Sequence, residues 1–191
     1  PGLVNTHHHL YQQFSRNLPE VQGFELFDWL RYLYDIWKNI DEELINLSSL
    51  TGMGELMKNG CTTCFDHHYV FPRDGGDLIA AQFEAAGLIG MRMHASRGSM
   101  DLSKKDGGLP PDSVVQTIDE IMKDSVRLIE KYHDPSKGSM RQIALAPCSP
   151  FSVSGELLRE SATLARQYGV RLHTHLCETK DEESYTLERY G

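Results

Sequence analysis

The feature that most restricts the fold of this 191-residue chain is a strand-like segment followed by a helix-like segment, repeated five times. The strand-like segments are short and rich in apolar and β-branched residues, which favour extended backbone. They lie at 3–6, 61–65, 90–95, 141–146 and 170–175. Strands that alternate with helices pair in parallel through right-handed crossovers. The pattern therefore predicts an α/β protein with a parallel sheet.

The segments between the strands carry helix end signals. Asp41 is typical of an N-cap, and Gly60 is typical of the stop that ends the following helix. A long insertion after the first strand is dense in large apolar residues and predicts a packed helix within 24–37. Further helices are predicted at 77–86 with a stop at Gly87, at 112–133, at 154–168 with Ser154 as the cap, and at 181–190.

Two architectures fit this order, an open doubly wound sheet and a (β/α)8 TIM barrel. No strand is followed by the G-x-G-x-x-G turn of a dinucleotide-binding sheet. Chemically versatile residues follow the strands instead, and the carboxyl ends of barrel strands converge on one mouth. We therefore favour the TIM barrel, with its first five strand–helix units present. A barrel has eight strands and about 250 residues, so we expect the chain to be part of a larger protein.

Composition narrows the choice of partners. The apolar runs are far shorter than the roughly 18 residues that a membrane span needs. Nineteen Lys and Arg against 27 Asp and Glu give a net charge of −8, without a dense basic patch. This balance argues against a nucleic acid partner and favours a small molecule.

The cysteines suggest a cytoplasmic protein with free thiols. Cys61 and Cys64 have the spacing of a zinc ribbon or a redox pair. Positions three apart on a strand point to opposite faces, however, and no second pair exists to complete a four-sulfur site. Free thiols in a reducing cytoplasm are the simpler interpretation.

The first strand runs directly into three histidines. Strand side chains alternate, so His7 and His9 point to one face and His8 to the other. Two imidazoles at a strand end suit half of the first shell of a divalent metal ion. The alternative is a tag remnant or an exposed polar run.

The fifth strand supplies the other half of this hypothesis. His175 lies at its end, where it can meet His7 and His9 across a barrel mouth, and Glu178 follows three residues later. Three nitrogen ligands and a water are the usual open catalytic zinc arrangement, and a carboxylate beside that water can move protons. A buried, hydrogen-bonded core histidine is the alternative for His175. The sequence predicts one divalent metal ion, zinc by default and iron otherwise.

The segment from Pro1 to His9 and the later His175-x-x-Glu178 resemble the amidohydrolase superfamily, in its branch of cyclic-amidine and nucleobase deaminases. The resemblance covers the whole chain. It implies that His7, His9 and His175 are metal ligands, that Glu178 is the proton shuttle, and that Gln12 matches the glutamine that contacts the purine in guanine deaminases.

The same resemblance implies parts that this chain does not contain. A sixth-strand histidine and an eighth-strand aspartate are expected beyond Gly191, and a small flanking β domain before Pro1. The chain is then the N-terminal part of the barrel of a metal-dependent hydrolase, with a metal site three-quarters complete. We expect the isolated 191 residues to be inactive.

Several longer segments resemble 8-oxoguanine deaminases and hydroxydechloroatrazine ethylaminohydrolases more closely. They include 7–12, 94–98, 106–115 and 146–154. Where guanine deaminases carry an arginine after the fourth strand, this chain has Cys148, which argues against plain guanine as the substrate. The implied reaction is hydrolytic deamination of a purine-like or triazine heterocycle, 8-oxoguanine first, by attack of metal-bound hydroxide with release of ammonia.

Four side chains are predicted to contact this small-molecule base: Gln12, Arg97, Cys148 and His68. For Arg97 the alternative is a salt bridge to a loop acid. His67 and His68 alternate in direction, so at most one of them faces the pocket. His173 is expected to pack behind His175.

Two other functions stay open. One is an s-triazine amino- or chlorohydrolase, which uses the same chemistry with a different pocket. The other is a catalytically inert barrel that serves as a scaffold. In either case we expect a homo-oligomer that binds no nucleic acid and no membrane. A cytidine-deaminase zinc site is excluded, because H-x-E and P-C-x-x-C are both absent.

Overall fold

A single parallel sheet organises the chain, and its five strands follow one another in sequence order. The computed structural model describes all 191 residues. The strands are β1 (Leu3–Asn5), β2 (Cys61–Asp66), β3 (Arg92–Ser99), β4 (Arg141–Pro147) and β5 (Arg171–Leu172). A doubly wound sheet reverses its strand order at a switch point, whereas a barrel wall adds strands in one direction. The observed order is that of a barrel wall with its first five strands.

Six α-helices connect and cover these strands. They are α1 (Leu26–Trp37), α2 (Glu42–Lys58), α3 (Leu78–Ile89), α4 (Ile118–Tyr132), α5 (Gly155–Tyr168) and α6 (Lys180–Tyr190). Short 3-10 turns lie at Leu10–Phe14, Pro19–Val21, Lys104–Asp106 and Asp112–Val114. The predicted caps of α2 and α5 are confirmed, because Asp41 accepts from the Leu44 amide and Ser154 from the Leu157 amide.

Two predicted helix boundaries are wrong. The third helix does not stop at Gly87 but continues to Ile89, where Gly90 adopts the left-handed conformation (φ +76°) that ends helices. The fourth helix begins at Ile118 rather than near 112. Thr117 and Glu120 form a capping box there, and this reciprocal pair of hydrogen bonds fixes the start.

Two strands also differ from prediction by more than one residue in length. β3 continues four residues past the predicted end at Ala95, because it pairs with β4 as far as Ser99. β5 is an edge strand reduced to Arg171 and Leu172. Beyond it the backbone stays attached to β4 by single hydrogen bonds, from His173 N to Leu145 O and from His175 N to Cys148 O.

The core lies between the sheet and the helices. α2 and α3 pack against β2 and β3, while α4 and α5 pack against β4. One continuous cluster of buried apolar residues joins these layers, for example Ile45, Phe83, Met93, Leu145 and Leu157. All four cysteines are free, as predicted. None of the helices combines the length and the apolar character needed to cross a membrane.

Candidate metal and substrate site

Imidazoles from the two ends of the chain meet at the carboxyl end of the sheet. The loop after β1 carries His7 and His9, and the segment after β5 carries His175. His9 Nε2 lies 3.1 Å from His7 Nε2 and 3.2 Å from His175 Nε2. The structure therefore brings together the three histidines that the sequence proposes as metal ligands.

Backbone carbonyls fix the tautomers of two of these rings. His9 Nδ1 donates to His67 O at 2.7 Å, and His175 Nδ1 donates to Cys148 O at 2.7 Å. A carbonyl oxygen can only accept, so each Nδ1 carries the proton and each Nε2 is left with a lone pair. Two such nitrogens 3.2 Å apart cannot hydrogen-bond to each other, and a cation satisfies both.

The spacing and the donor type fit a divalent metal ion. Metal–nitrogen bonds of about 2.0–2.1 Å place tetrahedral nitrogen ligands about 3.3 Å apart. This is close to the 3.1 and 3.2 Å that separate His9 Nε2 from His7 Nε2 and His175 Nε2. His7 Nδ1 lies 2.9 Å from His173 Nε2, so His173 orients the third imidazole from behind. The sequence predicts that His173 packs behind His175, whereas its hydrogen-bond contact is with His7.

His7 and His9 are neutral near physiological pH. Burial, together with the charge of His175, lowers the pKa of His7 to about 4 and that of His9 to about 3. Neutral imidazoles are the form that binds metal ions, so neither His7 nor His9 has to lose a proton at pH 7. Burial therefore keeps His7 and His9 in the protonation state that a cation requires.

A fourth imidazole belongs to this cluster, and it is His67 rather than His68. The His67 ring stacks on His175 with centroids 4.3 Å apart and planes at 15°. It is completely buried, and neither ring nitrogen has a hydrogen-bond partner. One nitrogen from each of His7, His67 and His175 lies within 4.8 Å of the others.

His68 points to the opposite side, which corrects its assignment as a substrate contact. Its buried ring packs edge-on against Tyr11, 5.2 Å between centroids, and against Phe71, 4.8 Å. It does not line the cavity described next. Successive side chains alternate along β2 and its extension, so only one of the pair can face the cluster.

A cavity of about 410 Å³ opens beside the histidines. Aromatic walls come mainly from the insertion after β1, and polar groups lie on the side of His9 and His175. Gln12, Cys148 and Glu178 line it, as predicted, together with Ser149. The aromatic and aliphatic lining consists of Phe24, Leu26, Trp29, Leu30, Tyr34, Tyr69 and Phe151. Flat aromatic walls with a few polar groups suit a planar, polar ring.

Cys148 has two functions in this geometry. Its carbonyl accepts from both the backbone N and Nδ1 of His175, at 3.0 and 2.7 Å, and so positions that ring. Its side chain lines the cavity, where burial raises the pKa of the thiol to about 12. The thiol therefore stays protonated and presents a weak donor to the cavity.

Arg97 lies outside the cavity. Its guanidinium is buried and forms an ion pair with Asp124 at 2.6 Å, donates to Gln116 Oε1 at 2.7 Å, and lies 4.1 Å from the centre of the Phe71 ring. Of the two interpretations of Arg97, the structure shows the salt bridge, although the acid is on α4 and not in a loop. The longer β3 explains this placement, because Arg97 is inside the strand rather than beyond it.

Asp66 holds the ends of β1 and β2 together, a role that sequence reasoning missed. It is fully buried, accepts from Leu10 N at 2.6 Å and from Gln82 Nε2 at 2.5 Å. His67 N donates to His8 O at 2.7 Å beside it. Burial raises the Asp66 pKa to about 7. Its position at the end of an apolar strand could have indicated this structural role from the sequence.

The sequential parallel sheet and the histidine cluster at its carboxyl end are features of metal-dependent TIM-barrel enzymes. The chain belongs to the Amidohydrolase family, which matches residues 1–191 and confirms the resemblance found in the sequence. It is 49% identical, over its full length, to an 8-oxoguanine deaminase of Pseudomonas aeruginosa, of which it covers 42%.

Two other relatives support the same placement. The chain is 44% identical over its whole length to a hydroxydechloroatrazine ethylaminohydrolase of Pseudomonas sp. strain ADP, covering 40% of that protein. Its structure matches that of an atrazine chlorohydrolase of Arthrobacter aurescens complexed with zinc, with TM-score 0.94 and 33% identity. That match covers 100% of this chain and 44% of the other. The chain thus spans about two fifths of the curated relatives it matches, and the TIM-barrel fold is confirmed for the part present.

Proposed function

We propose that the whole protein containing this chain is a metal-dependent hydrolase that removes an amino group from a purine-like heterocycle, with 8-oxoguanine as the substrate and ammonia as the product. The observation that carries the proposal is the convergence of ring nitrogens of His7, His9 and His175 beside an aromatic-walled cavity. The 49% identity to an 8-oxoguanine deaminase supports this choice of substrate.

His7, His9 and His175 would hold the metal ion, for which zinc is the first candidate. When bound, such an ion supplies a Lewis acid that lowers the pKa of water and makes it a nucleophile at neutral pH. Support for zinc comes from the nitrogen donor set and from the zinc complex of the related chlorohydrolase.

Glu178 moves the protons of the reaction. Hydrolytic deamination forms a bond from a water oxygen to the ring carbon that bears the amino group and breaks the bond from that carbon to the amino nitrogen. The Glu178 carboxylate lines the same cavity as His9 and His175. It accepts a proton from the attacking water, delivers it to a ring nitrogen, and helps to protonate the departing amine.

Gln12 and Cys148 orient the ring between the aromatic walls. The Gln12 amide N–H lies 3.4 Å from Tyr11 Oη, which leaves its carbonyl oxygen to accept from a ring N–H. The protonated Cys148 thiol offers a weak donor in place of the arginine of guanine deaminases. A thiol at this position in place of an arginine argues against guanine and favours an oxidised purine as the substrate.

A second candidate is displacement of an alkylamine from a hydroxylated s-triazine. Its support is the 44% identity to a hydroxydechloroatrazine ethylaminohydrolase, and a cavity of about 410 Å³ that accommodates a ring with an alkyl substituent. The required nucleophile and proton transfers are the same.

The test is to compare kcat/KM of the zinc-loaded whole protein for 8-oxoguanine, guanine and an N-ethyl hydroxytriazine. We expect 8-oxoguanine to give the highest value with stoichiometric ammonia. Faster release of ethylamine from the triazine would select the second candidate. A protein that neither retains metal nor releases an amine would be the inert scaffold. His175→Gln should abolish activity and metal retention, whereas His94→Gln, outside the cavity, should preserve both.

A further inference from the structure

The buried carboxylate of Glu182 contacts the backbone of Glu178. Glu182, on the first turn of α6, is only 2% exposed. Its Oε1 accepts from Cys177 N at 2.8 Å, and its Oε2 accepts from Glu178 N at 2.9 Å. Both oxygens of one carboxylate are thus used on two consecutive backbone amides. Charge-assisted bonds of this kind are roughly twice as strong as neutral ones.

The turn that these bonds hold has an unfavourable backbone conformation. Cys177 has φ +58° and is the only non-glycine residue of the chain with a positive φ. The left-handed conformation costs a residue with a Cβ about 1–2 kcal/mol and persists where neighbouring contacts enforce it. The Glu182 carboxylate supplies that enforcement.

A helix cap alone does not account for this arrangement. In a capping box the acid at the third helical position returns to the amide of the N-cap residue, which for α6 is Thr179. Glu182 reaches further back, to the amides one and two residues before the cap. Its contacts therefore order the loop that carries Glu178 rather than the helix end itself.

We propose that Glu182 is a positioning residue for Glu178. It fixes the turn between His175 and α6 so that the Glu178 carboxylate faces the cavity beside His9 and His175. The inference rests on the proposed function to the extent that Glu178 is the proton shuttle. The geometric part, that Glu182 holds the Cys177–Glu178 turn, is independent of the reaction.

Glu182→Gln in the whole protein is the first test. The amide keeps the shape of the side chain but retains one acceptor oxygen, so one backbone N–H loses its partner. We expect kcat to fall about 10-fold or more, with KM and zinc content unchanged, since a misplaced general acid–base loses part of its contribution. Glu183→Gln is the matched control, because Glu183 is exposed on the same turn of α6.

A double-mutant cycle separates positioning from general stabilisation. In a Glu178→Gln background the shuttle is already absent, so Glu182→Gln should lower kcat no further. An equal fold-loss in both backgrounds would overturn the proposal. Should Glu182→Gln not fold, Glu182→Asp provides the same comparison, because it keeps both oxygens on a shorter side chain.

Hydrogen exchange gives a readout that does not need activity. The Cys177 and Glu178 amides should exchange about 10-fold faster or more in Glu182→Gln and be unchanged in Glu183→Gln. Unchanged exchange in Glu182→Gln would reject the proposal. If the parent protein releases no amine, the proposed function is rejected. Faster exchange in Glu182→Gln would then still identify Glu182 as the residue that holds this turn.

Discussion

Single residues set the chemical state of this site. The carbonyls of His67 and Cys148 hold the Nδ1 protons of His9 and His175, so the facing nitrogens have no proton to share. Glu178 is the carboxylate that lines the cavity beside them. The proposed metal binding and the proposed proton transfer thus belong to different residues, and substitutions can separate the two.

Replacing Glu178 with Gln should remove proton transfer while leaving metal binding intact. We expect kcat of the whole protein to fall about 100-fold or more, which is the usual contribution of a general acid–base. Zinc content should stay at the parent level, because His7, His9 and His175 are untouched. Ammonia release and metal analysis of the same sample check both points. A rise in KM alone would show that Glu178 only binds the substrate.

His68 should make stability depend on pH. Burial lowers its folded-state pKa from 6.5 to about 3, so between these values the unfolded chain binds more protons. Stability is therefore lost as pH falls below 6.5, by about 1.4 kcal/mol per pH unit for one such histidine. His68→Phe should flatten the dependence of the free energy of unfolding between about pH 6 and pH 4 by that slope. Urea unfolding across this range measures it, and identical slopes would contradict the prediction.

At the scale of secondary-structure elements, a close contact between β3 and the segment after β2 positions the backbone that carries His67 and His68. Gly98 N donates to His68 O at 2.9 Å, and the backbone of Tyr69 passes directly over the Gly98 Cα. A Cβ at Gly98 would overlap the His68 carbonyl and the Tyr69 Cα, which are backbone atoms that cannot move aside.

Gly98→Ala should therefore destabilise the protein by about 1–3 kcal/mol, the usual effect of overpacking. It should also weaken zinc retention by displacing His67, whose carbonyl accepts from His9 Nδ1. Gly87→Ala is the matched control. Gly87 is exposed within α3, and a Cβ at this position would meet open space, so alanine should stabilise the helix by about 0.5–1 kcal/mol. Denaturant unfolding of both variants checks the opposite signs. Equal effects would mean that the close approach at Gly98 is unimportant.

At the scale of the whole molecule, the sheet has two open edges. β1 and β5 each pair on one side only, and Leu3 and Val4 of β1 are 65% and 61% exposed. Leu172 of β5 is exposed as well. Unpaired strands with apolar side chains promote association through their edges.

We expect the 191-residue chain on its own to self-associate and to release no ammonia from 8-oxoguanine. Val4→Lys together with Leu172→Lys should shift it toward the monomer, because charge on an edge strand opposes pairing. Leu88→Lys is the control, since Leu88 is 78% exposed on α3 and away from both edges. Light scattering coupled to size-exclusion chromatography measures the change. Association that Leu88→Lys reduces equally would rule out the strand edges as its cause.

The sequence determined the parts of this protein that depend on neighbouring residues. Strand–helix alternation predicted the parallel sheet, Asp41 and Ser154 predicted helix starts, and the spacing of His7 and His9 predicted a shared face. These features arise from backbone propensities, caps and side-chain alternation, which act within a few residues. The barrel and the family resemblance followed from the same short segments.

Only the tertiary structure decided features that depend on distant partners. Arg97 takes Asp124 as its partner, His67 rather than His68 faces His175, and Glu182 reaches back to the turn that carries Glu178. Each of these contacts depends on which element packs against the residue or on how far its strand continues to pair. The local sequence encodes neither property. Propensity and periodicity set the elements, whereas long-range packing and hydrogen bonding decided which side chains meet.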